Sequence, residues 1–129
     1  MQLAVQNTDR KMTLHSASID WSDFLKRWVM IGLEVYGESS NLGEIYYSEA
    51  KSLEGPWSPV VKIVTHNQYS FYNPRWHSML TSDQGRFIFF EGTYTQTFSA
   101  AKQATPRYDY NQIMYRLDLT DGRLRERDK

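Results

Sequence analysis

Apolar and polar residues alternate in short runs separated by turn-forming residues, and no stretch carries the spacing of a long amphipathic helix. Residues 13–20 (T-L-H-S-A-S-I-D) alternate as a half-buried strand does. Residues 27–35 (R-W-V-M-I-G-L-E-V) and 86–94 (R-F-I-F-F-E-G-T-Y) are strongly apolar. With 43–50, 60–65, 75–81 and 112–119 they make seven predicted strands, judged by period and by β-branched and aromatic content. Breakers fall between them. Asp83-Gln84-Gly85 reads as a hairpin turn, Glu54-Gly55-Pro56 as a bend before Trp57, and residues 36–42 as a loop carrying Gly37, Ser39, Ser40 and Asn41. Residues 95–109 form a long polar connection, of a length that accompanies function or mobility. Residues 21–26 are expected to make a short helical turn, and residues 123–129 a solvated tail.

A weak internal repeat organises these strands. Arg27-Trp28-Val29-Met30-Ile31-Gly32 resembles Arg86-Phe87-Ile88-Phe89-Phe90-Glu91, and each follows a turn and a short strand. A third strand follows in both units, at residues 44–48 and 112–116. The first unit continues into a fourth strand near residues 59–64; the second shows none. Four antiparallel strands per unit is the pattern of a propeller blade. The expected fold is all-β, one domain spanning 1–129, with blade-like units at about 13–65 and 70–122. The alternative is a small barrel or sandwich.

Composition narrows the chemistry. The 129 residues carry 15 basic and 15 acidic side chains, so balance alone suggests neither a nucleic-acid footprint nor an acidic tail. There is no cysteine, which removes disulfides, thiolate metal sites and a cysteine nucleophile. Nine Tyr, six Phe and four Trp supply much of the material for a core. The longest apolar runs fall far short of the roughly 20 residues of a spanning helix. The first eleven residues lack an apolar secretory segment, so no membrane association is expected and the expected location is cytoplasmic. No phosphate-binding glycine loop and no G-x-S-x-G are present, and no cofactor is implied.

The stretch Tyr47-Ser48-Glu49-Ala50-Lys51-Ser52-Leu53-Glu54-Gly55-Pro56-Trp57 resembles the junction between third and fourth blade strands in five-bladed propeller glycosidases. Those are the arabinanase and β-xylosidase type, glycoside hydrolase family 43. Tyr69-Ser70-Phe71-Tyr72-Asn73-Pro74-Arg75-Trp76-His77 is similar to the start of the next blade in that group, and residues 105–117 to a segment of related bacterial proteins. The resemblance covers about residues 13–122. It implies a carbohydrate-active protein, an enzyme only if a carboxylate pair is present. Only about two blades are here, so it also implies either association between copies or a place in a longer chain. The alternatives are a non-catalytic carbohydrate-binding or interaction module, and a small barrel holding an apolar ligand.

Glycoside hydrolysis needs two carboxylates about 5 to 9.5 Å apart, one of them desolvated enough to stay protonated. Asp20, Glu34, Glu91 and Asp109 lie near predicted strand ends or in central loops. Asp20 and Glu91 are the first catalytic candidates, Asp20 at the end of an innermost strand and Glu91 among aromatics. A structural ion pair with Arg75, Arg107 or another cation is the competing expectation for Glu91. Glu54 is read as a turn residue. Sugars present flat apolar faces and rims of hydroxyls, so Trp76, Tyr94 and Tyr108 with Arg107, Asp109 and Asn111 form the candidate binding set. The resemblance adds His77 as a near-axis residue. His66 and His77 bracket an aromatic loop, but no third ligand accompanies them, and hydrogen bonding rather than metal binding is expected of both.

Overall fold

The computed structural model describes residues 1–66 and 68–125. Among them lie eight strands: β1 (Gln2–Ala4), β2 (Lys11–Ser22), β3 (Arg27–Val35), β4 (Glu44–Ala50), β5 (Val61–Thr65), β6 (Ser70–Ser82), β7 (Phe87–Thr95) and β8 (Tyr110–Asp118). A 3-10 turn at Gly122–Leu124 follows. The strands form two antiparallel sheets, β1-β2-β3-β4-β5 and β6-β7-β8. The two predicted units each supply one sheet, and the division is five and three where the sequence showed four and three. The extra strand, β1, pairs through Leu3 with Met12. Its three residues are too short to register as a period.

β1 also changes the shape of the larger sheet. Val5 bridges Val60 in parallel, with Gln6 N–H donating to Val60 O at 3.0 Å and Val60 N–H to Ala4 O at 2.8 Å. This bridge joins the two edges of the sheet and rolls it up. Alternation gives the sheet two occupied faces. Val29, Ile31 and Leu33 of β3 and Ile45 and Tyr47 of β4 face the smaller sheet. There they meet Phe71, Trp76, Ile88 and Phe90, and Leu119 and Leu124 beyond β8. Each such side chain contributes about 1.5–3 kcal/mol by leaving water. The inside of the roll holds Met12, Met30, Tyr46 and Val60, covered by Leu3, Val5, Leu14 and Trp57.

Three local expectations change. β6 is 13 residues long, not the short strand at 75–81, because register shifts at Tyr72/Arg75 and Trp76/Thr81 break its alternation. Residues 21–26 are not helical. The β2–β3 ladder runs down to the pair Ser22↔Arg27, and Ser22 Oγ then accepts the Leu25 N–H at 3.2 Å. The start of the expected solvated tail is anchored: Leu124 is buried in the core and Arg125 reaches Glu49, while residues 126–129 of that tail lie outside the described residues. The turn at Asp83-Gln84-Gly85 is as expected, with left-handed φ values of 52°, 55° and 89°.

Candidate functional site

The carboxylates singled out from the sequence do not come together. Asp20 pairs with Val29 in β2–β3, on the face turned toward the smaller sheet, and its Oδ1 accepts the Trp21 N–H at 2.8 Å. Glu91 lies between Arg75 and Met114 in register. It alternates with buried Phe90, so it points away from the shared core. Its nearest partner is His77, at 3.2 Å between Nε2 and Oε1 but not aligned as a hydrogen bond. Asp20 and Glu91 therefore sit on different faces of different sheets. Asp109 braces its loop, accepting the hydroxyls of Thr95 at 3.0 Å and Thr97 at 2.9 Å. Asn111 Nδ2 donates to Tyr108 O at 2.6 Å.

The candidate binding residues divide among four places. Tyr94 lies against the His66 ring at 4.3 Å, Phe71 stacks on that same ring at 5.0 Å, and the Tyr115 hydroxyl meets His66 Nε2 at 2.7 Å. Burial pushes the His66 imidazole below its ordinary value. His77 is on the outer face of the small sheet. Arg107, Tyr108, Asp109 and Asn111 belong to the long loop or its end, where Tyr108 is exposed and Arg107 has a left-handed φ of 70°. Trp76 is 6% exposed and belongs to the core.

The densest gathering of ionisable groups was not foreseen as a set. Glu34 and Glu44 are 1% and 2% exposed, on the inner face of the roll at the end where β3 finishes and β4 begins. The Arg10 guanidinium bonds Glu34, donates to the Tyr46 hydroxyl at 2.7 Å, and lies 3.6 Å from Glu38. Glu44 accepts from Ser39 and, at 2.9 Å, from Thr65; Lys62 Nζ is 3.1 Å away. Burial pushes the Glu34 carboxyl up, opposed by Arg10, and lifts Tyr46 to about 12. Neither carboxylate lines any of five cavities among the described residues. The cluster closes one end of the roll. Glu34 alone of this group stood out in the sequence; Arg10 and Glu44 meet it only across strands.

A different place has both space and suitable walls. Where the β2–β3 and β6–β7 turns meet, a cleft of about 200 Å³ is lined by Trp21, Phe24 and Trp76. Ser22, Asp23, Ser78, Thr81 and Gln84 supply its polar rim. The turns touch closely: a Cβ on Gly85 would sit 3.3 Å from Phe24 Cβ. Phe24 is 39% exposed. Asp23 is held by Lys26 at 3.1 Å and by the Trp21 indole at 3.2 Å, and the Lys26 contact leads in drawing its carboxyl below the usual range. The Trp76 indole nitrogen is buried and has no hydrogen-bond partner. Of the residues singled out in the sequence, Trp76 lines this cleft. Trp21 and Phe24 were missed; aromatic side chains within a polar hairpin turn were the available signal. Among the described residues no three His, Asp or Glu side chains gather as a metal site. No family model, curated protein or solved structure matches the chain.

Proposed function

We propose that this chain recognises carbohydrate without hydrolysing it, at the cleft between the two hairpin turns. The observation that carries the reading is the combination of aromatic walls with a rim of hydroxyl, amide and carboxylate groups. A pyranose offers apolar C–H faces to such rings and hydroxyls to such a rim. The volume is below the usual range of about 300–1,000 Å³ for small-molecule pockets, so one sugar ring fits rather than a chain. Hydrolysis is not part of the reading, since the cleft holds one carboxylate, Asp23, and a glycosidase needs two.

A hexopyranose has about twelve non-hydrogen atoms, and at about 0.3 kcal/mol per atom the affinity is about 3.6 kcal/mol. That corresponds to a dissociation constant of a few millimolar. Titration of a panel of monosaccharides and short oligosaccharides, followed by tryptophan fluorescence and calorimetry, tests this. A saturable signal is expected with at least one sugar. Phe24→Ala and Trp21→Ala, each of which removes an exposed wall of the cleft, should each weaken it about tenfold. No saturation with any sugar into the tens of millimolar, or parent-like binding by both variants, overturns the proposal.

A further inference from the structure

Besides β1, the two units differ at their last strand. In the first, β4 is covered on its far side by β5; in the second, among the described residues, no strand pairs with the far side of β8. β8 is nine residues long, pairs with β7 through nine unbroken positions from Phe87↔Asp118 to Thr95↔Tyr110, and contains neither Pro nor Lys. β8 carries two charges, Arg116 and Asp118, but has no bulge, Pro or Lys and is not short, and its outward N–H and C=O groups are a template for another strand.

We infer that β8 pairs with β8 of a second copy of this chain, antiparallel, about a two-fold axis at Met114. The side chains decide the partner and the register. On the outer face β8 presents Tyr110, Gln112, Met114, Arg116 and Asp118, with Tyr110 54% and Met114 47% exposed. Centring the pair on Met114 sets Tyr110 opposite Asp118, Gln112 opposite Arg116 and Met114 opposite itself. Gln112 then meets Arg116, Tyr110 meets Asp118, whose carboxylate Arg86 also holds at 2.7 Å, and the two exposed methionines cover each other. On the inner face, Ile113 meets Tyr115. Centring on Arg116 or Asp118 would place like charges face to face, and centring on Gln112 would leave Arg116 and Asp118 unpaired. The product is a six-stranded sheet in the order β6-β7-β8-β8-β7-β6, closed by an isologous two-fold contact.

The absence of cysteine makes the test clean. Residues facing each other across an antiparallel pair have Cα atoms about 4.5–5.5 Å apart, within the range a disulfide spans. Met114→Cys is therefore expected to give a covalent dimer on mild oxidation. Gln112→Cys and Arg116→Cys place the two sulfurs' residues about 13 Å apart along the strands and should not cross-link. Light scattering on the unaltered 129-residue chain should give twice its 15.2 kDa. Met114→Lys should return that mass to the monomer with an unchanged far-ultraviolet spectrum. A monomer at all concentrations overturns the inference, as it would if the edge belonged to a strand from some other chain segment. Equal cross-linking at all three positions, or open-ended aggregation, overturns it too.

Discussion

Removal of the Arg10 side chain probes how the end of the roll is held. Arg10 is 25% exposed along its side chain, whereas Glu34 is 2% exposed, so the two partners do not lose equally when the pair is broken. Arg10→Ala leaves a buried carboxylate and the Tyr46 hydroxyl without their donor, and the charge of Glu44 nearby adds repulsion. Stranding one partner of a buried pair costs about 3–5 kcal/mol. Glu34→Gln keeps the volume and leaves a cation that can turn to water and to Glu38, so it should cost about 1.5 kcal/mol. Arg10→Met with Glu34→Leu should recover most of the single-variant loss. Urea unfolding reads the difference. With a slope of about 1.5 kcal/mol per molar, Arg10→Ala lowers the midpoint by about 2–3 M. The pH dependence has a definite sign. Burial raises the folded Glu34 value above its ordinary 4.5, so the folded state holds the proton more tightly. The stability this gives is complete below about 4.5 and is lost as pH rises through the folded value. Without Arg10 the upward push is unopposed, and the cost of Arg10→Ala should be smaller at pH 4 than at pH 7. A cost below about 1 kcal/mol, a Glu34→Gln cost as large as that of Arg10→Ala, or equal costs at both pH values would refute the reasoning.

Other expectations rest on single contacts. A Cβ on Gly92 would lie 2.1 Å from the Phe71 ring, which is fully buried, so Gly92→Ala should destabilise by about 1–3 kcal/mol in thermal or urea unfolding, and Phe71→Leu in the same chain should restore part of it. An unchanged Gly92→Ala would mean the ring is free to move. His66 has a folded value lowered by burial, so the stability it contributes is present above pH 6.5 and lost as pH falls through and below that value. His66→Phe should flatten the stability profile across this window, and a nuclear magnetic resonance titration of His66 with a midpoint at or above 6.5 would contradict it.

The strands were legible wherever one face is apolar. Residues 27–35 coincide with β3, because β3 is covered on both faces and its apolar run is unbroken. β6 was under-read because two irregularities reset its alternation, and β1 because three residues carry no period. The candidate site was legible only in part. Trp76 stood out by type, but Trp21 lies at the end of β2 and Phe24 in the turn after it, and the cleft's other wall comes from the β6–β7 hairpin, some 55 residues away in the sequence.

What the sequence by itself determined is the all-β, antiparallel character, because period, residue type and turn chemistry are local properties. The tertiary structure alone decided the rest. Rolling of the first sheet depends on Val5 meeting Val60, a pairing between opposite edges. The face that a carboxylate occupies follows from register, which is why Asp20 and Glu91 separate while Glu34 comes close to both Arg10 and Glu44. Charge pairing and cavities arise from contacts distant in sequence, and alternation within a strand fixes only which side chains share a face, not what that face meets.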